Sequence, residues 1–405
     1  MSDAHHEFFE NIDWFRREDC ERLPGELAWS RSECPIVHTG FEGGQYLVTR
    51  HDDLRTVAKN PEIFSSAMPG VMTVPVPLPP LDLDPPLHRD FRQFLNKFFS
   101  RPALMRYASE MEQLADSLID AVIDKGSLEF VSQYAIPFTA GSLARVVLDD
   151  DDPDRMREAI DAVTAISTGG PEAYQRVAEI AAVILDERQA NPGQRDDVLE
   201  ALASATVEDG RNLRLDEQLG VVTVLLLGGL DTTRGAIAHI GRYLAEEPGL
   251  EARLRDPEWV KRDLDELLRH TSTVSVMARV VTQDNDLLGC PLKAGDRVSV
   301  HWASGNRDES KFDRPDELVF DRDRNPHMAF GYGVHRCLGQ HFARLQLEIA
   351  FNRLLARLSN FTITPGTTVK QTIGITPLAP EEMHLSFEPV REPATADHDK
   401  VTATT

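Results

Sequence analysis

The sequence predicts a mainly α chain with a small β-rich lobe, on three observations. Segments with helical apolar spacing fill most of the 405 residues. Strand-like runs are few and short, and two long stretches fit neither pattern. In chain order, "GQYLVTR" (44–50) alternates as a strand does. "MPGVMTVPVPLPPLDLDPP" (68–86) holds seven prolines in nineteen residues, too many for regular helix. Helices are expected over 101–126, 171–191, 216–247 and 256–272, where apolar residues recur with a 3.6 period. Strands follow at 277–289, 297–302, "NFTITPG" and "MHLSFEP". Between them, 305–327 is charged and irregular, a loop length that is usually functional or disordered. After Leu338 a last long helix is marked by Phe342, Leu345, Ile349, Phe351, Leu354, Leu355 and Leu358. Residues 1–390 read as one domain and 391–405 as a disordered tail.

Composition narrows the function classes. Apolar residues make up 41% of the chain and aromatic residues 7%, ordinary for a soluble globular protein. The net charge of −23 argues against a general binder of nucleic acid or anionic membrane. The polar, acidic start lacks the pattern of a signal peptide. The longest apolar run, Val221–Leu230, has ten residues, about half of what a bilayer requires. Cys20, Cys34, Cys290 and Cys337 show no metal-ligand spacing, and in the cytoplasmic setting expected for this chain they stay reduced.

The stretch "HMAFGYGVHRCLGQHFARLQ" crowds glycines, a histidine and an arginine around one cysteine just before the last helix. An arbitrary cysteine is most often a buried packing residue. A helix N-terminus favours a thiolate through its free N–H groups and positive dipole end. Flanking glycines and Phe330 suit a flat, bulky ligand that approaches the backbone.

The ten residues "FGYGVHRCLG", Phe330–Gly339, resemble the haem-binding loop of the cytochrome P450 superfamily, with every constrained position filled. The resemblance implies haem b held between the long central helix and the helix after the loop. It makes Cys337 the iron's thiolate ligand, with Phe330 and Gly339 beside the cofactor. Three further matches follow the family's order. "GGLDTT" resembles its oxygen-binding groove, which implies room for dioxygen at Gly228 and Gly229. Thr232 is then the hydroxyl that bonds a backbone carbonyl and distorts the helix, and Asp231 the proton relay. "ELLR" supplies Glu266 and Arg269, a buried structural pair in the family, joined by one unspecified arginine from 312–324. "DPPLHRDFR" sets His88 and Arg92 four apart on one helix face, and with Arg279 and His335 the resemblance assigns them to the haem propionates.

The proline-rich stretch falls where the family places a lid over the distal pocket. Val71, Met72, Val74, Val76, Leu78, Leu225, Val276 and Met277 point to a small apolar or aromatic substrate. The family's usual proline after E-x-x-R is missing from "HTSTVSVMAR". Electrons are expected from a ferredoxin with a flavin-dependent reductase, docking on Arg89, Lys97, Arg336 and Arg344. The activity implied is monooxygenation. Oxidative coupling or desaturation on the same frame, and a non-catalytic haem or small-molecule binder, stand as alternatives.

Overall fold

Amphipathic helices surround one long apolar helix, and a small β lobe closes one side. The structure is a computed structural model that describes residues 2–68, 76–148, 152–166, 171–191, 197–207, 210–372 and 379–390. Six helices position the site: α1 (His51–Lys59), α2 (Leu87–Leu95), α3 (Ile136–Leu143), α4 (Leu215–Glu246), α5 (Leu264–Thr271) and α6 (Gln340–Arg357). Helix α4 starts where the Glu217 carboxylate accepts the Arg214 backbone N–H at 2.8 Å, and Arg211 pins the same carboxylate at 2.8 Å. That satisfies an orphan donor and places an acid at the positive end of the helix dipole. Helix α4 is long and apolar enough to span a bilayer, and 67% of its most apolar window is buried inside the protein.

The main core forms where α4 and α6 meet their neighbours, with Phe91, Tyr134, Phe138, Leu226, Leu345 and Phe351 buried together. All seven apolar positions expected to face inward from the last helix are buried. The Tyr134 hydroxyl donates to the Ala350 carbonyl at 2.6 Å, so this buried phenol is satisfied and pins α6.

The β lobe is a five-stranded sheet of β1 (Ile36–Thr39), β2 (Gln45–Val48), β3 (Phe64–Ser65), β4 (Val276–Val281) and β5 (Arg297–His301), in the order β1-β2-β5-β4-β3. Strands β2 and β5 are parallel, with Tyr46 opposite Val298. The other pairs are antiparallel, Met277 lying opposite Val300. A separate three-stranded sheet joins Ser127–Glu129, His384–Pro389 and Leu358–Ile363.

Several expected elements are interrupted. The segment 101–126 becomes Arg101–Leu104 and Ala108–Asp120 with 3-10 turns between and after them. The segment 256–272 breaks at Asp263, whose fully buried carboxylate takes Arg253 and Arg262. The strand expected over 277–289 ends at Val281, and Asn285 and Leu292 form only an isolated bridge. The irregular stretch 305–327 holds no helix or strand beyond Gly305, where Trp302–Gly305 ends. Helices Ser2–Asn11 and Arg17–Glu33 carry little apolar periodicity and were not expected.

Candidate active site

The loop around Cys337 is built by backbone demands. The Cys337 N–H donates to the Phe330 carbonyl at 2.8 Å and closes the loop; Gly331 N–H bonds Met328 O at 2.9 Å. Gly331 and Gly333 adopt φ of +66° and +74°, open to glycine without strain. A Cβ on Gly333 would also lie 2.0 Å from the Ala58 carbonyl oxygen, so the loop seats on α1 only with glycine there. Helix α6 begins at Gln340, so Cys337 precedes its first residue instead of occupying it. Burial pushes the Cys337 thiol up, while the Gly339 amide and the Arg92 and Arg336 cations pull the other way.

Beside the thiol the fold gathers basic side chains. The His88 and His335 rings lie 4.2 Å apart, and the Nε2 atom of each is buried with no partner. Burial, then the neighbouring Arg92 and Arg279 cations, push His88 down to about 4. Burial and the charges of Arg279, His88 and Arg92 push His335 down to about 2. Burial lowers Arg279 to about 10, and its guanidinium donates to the Ala278 carbonyl at 2.6 Å. The one carboxylate that eases both His88 and Arg279 is Asp84, whose two oxygens already accept from Ser65 Oγ and the Ser66 N–H. Sequence reasoning missed Asp84 in this role, although it lies inside the quoted "DPPLHRDFR". The buried Arg279 charge and the two unpartnered imidazole nitrogens present donors that an anion would satisfy.

On α4 the two glycines separate. Gly228 is exposed in the mostly buried middle of the helix, and a Cβ there would meet nothing within 4 Å. Gly229 faces Leu143 of α3, where a Cβ would lie 2.7 Å from the leucine methyl. Gly228 thus has open space beside it, whereas Gly229 packs against the Leu143 side chain. The Thr232 hydroxyl donates to the Gly228 carbonyl at 2.8 Å, yet α4 runs unbroken from Leu215 to Glu246, so the expected distortion of the helix does not interrupt it. Asp231 Oδ1 accepts the Arg234 Nε–H at 2.8 Å, and Arg234, itself buried, reaches the Pro380 carbonyl at 3.4 Å.

Glu266 and Arg269 form a buried pair with two 2.8 Å contacts. The arginine left open by sequence is Arg322, whose Nε–H donates to Glu266 at 3.1 Å. Val319 N–H and Asn325 Nδ2 also donate to the Glu266 carboxylate, so burial's upward push is overcome and the acid stays below its usual range.

Arg89, Lys97 and Arg336 are exposed. Arg344 is not a free cation: it pairs with Asp265 and lies over the Phe330 ring at 5.3 Å. Burial opposes the Asp265 charge, but His327 and Arg344 hold this carboxylate well below its usual range. Arg344 thereby links α5, α6 and the loop. Of the proposed pocket residues, Leu78, Leu225 and Val276 are buried and Val76 and Met277 half-buried. Val71, Met72 and Val74 lie outside the described residues.

The steroid C26-monooxygenase of Mycolicibacterium smegmatis is 30% identical over 378 residues, covering 89% of this chain and 92% of the relative. The chain belongs to the cytochrome P450 family. The family profile "Cytochrome P450" matches residues 259–380, which include the E-x-x-R pair and the Cys337 loop. The Pseudomonas putida linalool 8-monooxygenase is 29% identical and covers 85% of this P450 and 91% of its own length. A solved P450 EryK mutant in complex with erythromycin B superposes with a TM-score of 0.82 at 26% identity, over 92% of this chain and 98% of that one. Mycobacterium marinum CYP268A2 in complex with pseudoionone gives 0.81 at 27%, over 94% and 97%. This P450 is a monooxygenase that uses a haem-thiolate cofactor and dioxygen, so the non-catalytic alternative falls away. Its residues fit that cofactor: the orphaned His88 and His335 nitrogens and buried Arg279 suit anionic propionates, next to the half-buried Cys337.

Proposed function

We propose that this P450 holds haem b with Cys337 as thiolate ligand and His88, Arg92, Arg279 and His335 on the propionates. It inserts one atom of dioxygen into a small apolar or aromatic molecule in the cytoplasm, using electrons from a ferredoxin and its flavin-dependent reductase. One observation carries the reading: arginine and histidine side chains, with Arg279 and His88 buried and the His88 and His335 Nε2 atoms unpartnered, adjoin the one cysteine in a closed, glycine-shaped loop. The bound haem supplies an iron at which dioxygen is activated.

The chain's residues do the rest. The Gly339 amide lowers the cost of charge on the Cys337 sulfur, which would ligate the iron as a thiolate. The His88 and His335 Nε2 atoms would donate to the haem carboxylates, which would raise the basicity that burial lowers. Gly228 leaves space along α4, and the Thr232 hydroxyl oxygen at its edge would hold a water that carries a proton to bound dioxygen. Asp231 keeps Oδ1 on Arg234 and passes a proton through Oδ2. Half-buried Val224 and Leu227 give the open side of α4 an apolar character. The named activities of the steroid and linalool relatives support an apolar substrate, so testosterone, linalool and pseudoionone are the first probes for displacement of the distal water, followed by haem absorption.

Labelled dioxygen tests the chemistry: one labelled oxygen in the product supports insertion, and an unlabelled, desaturated or coupled product overturns it. Arg89→Glu with Arg336→Glu is expected to raise the KM for an acidic ferredoxin about tenfold and to flatten its salt dependence, because steering charges act mainly on encounter. Unchanged values for both would show that the partner docks elsewhere.

A further inference from the structure

Helix α4 carries an accessible stripe along its mostly buried middle. Val224, Gly228 and Thr232 are spaced by four and are half-buried or exposed, with Leu227, Gly229 and Asp231 half-buried beside them, whereas Val221, Val222, Leu225, Leu226, Leu230 and Thr233 are buried. Residues four apart lie above one another on a helix, so this line is continuous. Gly220 is the next position along it, one turn before Val224, and there the line is covered. A Cβ on Gly220 would lie 2.5 Å from Pro79 Cδ and 2.7 Å from the Pro77 carbonyl oxygen. The second neighbour is backbone, so no rotamer change could relieve it.

The covering segment, 76–86, is compact. Leu81 N–H bonds Leu78 O at 2.7 Å, and Leu78 N–H bonds the Asp82 carboxylate at 2.8 Å. Leu78, Pro79 and Pro80 are buried although they belong to no helix or strand. The segment's far end is tied down, because Asp84 accepts from Ser65 and Ser66 and its carbonyl takes the His88 N–H of α2. One feature opposes the seat: Asp82 Oδ1 is buried without a partner, a cost that lifting the segment into water removes.

We propose that Gly220 is a specificity-determining position: the Pro77–Pro79 turn seats on it, closes the open line of α4 at its N-terminal end, and must lift off for a bulky ligand to enter. The inference rests on the reading that the open line faces the haem's oxygen side. A tight seat favours small ligands and slows the entry and exit of long ones, so one side chain at 220 shifts selectivity without touching the reacting atoms.

The test uses haem-loaded enzyme, hydrogen exchange over 76–86, and stopped-flow binding of imidazole and 4-phenylimidazole followed by haem absorption. In Gly220→Ala, exchange across 76–86 and the 4-phenylimidazole association rate are each expected to rise about tenfold, with imidazole nearly unchanged. Alanine favours the helix itself, so the effect is confined to the seat. Pro79→Ala, which removes the ring without adding bulk, is expected to act in the same direction. It also serves alone if Gly220→Ala does not fold. Because both act on one contact, the double variant is expected to be no looser than Gly220→Ala. Wild-type exchange and rates in either folded single variant, or additive effects in the double, overturn the seat. Faster exchange with unchanged 4-phenylimidazole rates overturns its role in ligand entry. Failure of the haem-thiolate reading would appear separately, in the carbon monoxide spectrum of the wild-type enzyme.

Discussion

Arg269→Ala is expected to yield almost no folded, haem-loaded enzyme. Arg269 is 0% exposed and all five of its N–H donors are used: two on Glu266 and one each on the Asn306, Pro315 and Glu317 carbonyls. Truncation leaves a buried carboxylate with only Arg322, Asn325 and the Val319 N–H, and the Asn306 and Glu317 carbonyls without their donor, while Pro315 O keeps only Arg307. Breaking a buried pair in this way costs about 3–5 kcal/mol, against a total stability of about 5–15 kcal/mol. The carbonyls belong to the segment that leads into the Cys337 loop, so haem retention falls with stability. Arg269→Lys keeps the charge but presents a single ammonium to acceptors arranged for a fork, and intermediate loss is expected. Urea midpoints and haem content per chain check both; a wild-type midpoint in Arg269→Ala would show that this network is not structural.

Thr232→Ala is expected to fold, bind haem and consume reductant, yet lose product. The hydroxyl's one hydrogen bond is to Gly228 O on its own helix, so removing it leaves α4 intact and slightly favours its helical conformation. What disappears is the hydroxyl oxygen whose lone pairs remain free to accept from water at the edge of the open groove. With whichever probe supports turnover, product per electron pair is expected to fall about tenfold or more, with hydrogen peroxide making up the difference. The peroxide-to-product ratio is decisive, because a merely structural threonine would lower both together. Serine at 232 restores the hydroxyl and is expected to recover most of the coupling. Unchanged coupling in Thr232→Ala would remove the threonine from proton delivery.

What could be read from the sequence follows from which interactions are local. Helix α4 and the inward face of α6 were legible because apolar period is a local property, and the Cys337 loop because its glycines answer a backbone demand. Choices between equivalent residues were not legible. Gly228 and Gly229 are identical as letters, and only Leu143, far away in sequence, shows that one packs and the other opens. Arg322 was one arginine among several until Glu266 and the Asp313 and Arg314 carbonyls selected it. Arg344 resembled a free surface cation until Asp265 was found against it. Helices such as Ser2–Asn11 escaped notice because short, polar helices are held by tertiary contacts more than by their own pattern.

The account's central claim is a sulfur–iron bond at position 337, and the carbon monoxide difference spectrum of reduced, haem-loaded enzyme tests it most directly. The wild type and the Cys20→Ser, Cys34→Ser and Cys290→Ser variants should each show the red-shifted band of thiolate ligation. Cys337→Ser should bind haem weakly and lack that band. Retention of the wild-type band by Cys337→Ser, or its loss from one of the other three, would contradict the assignment.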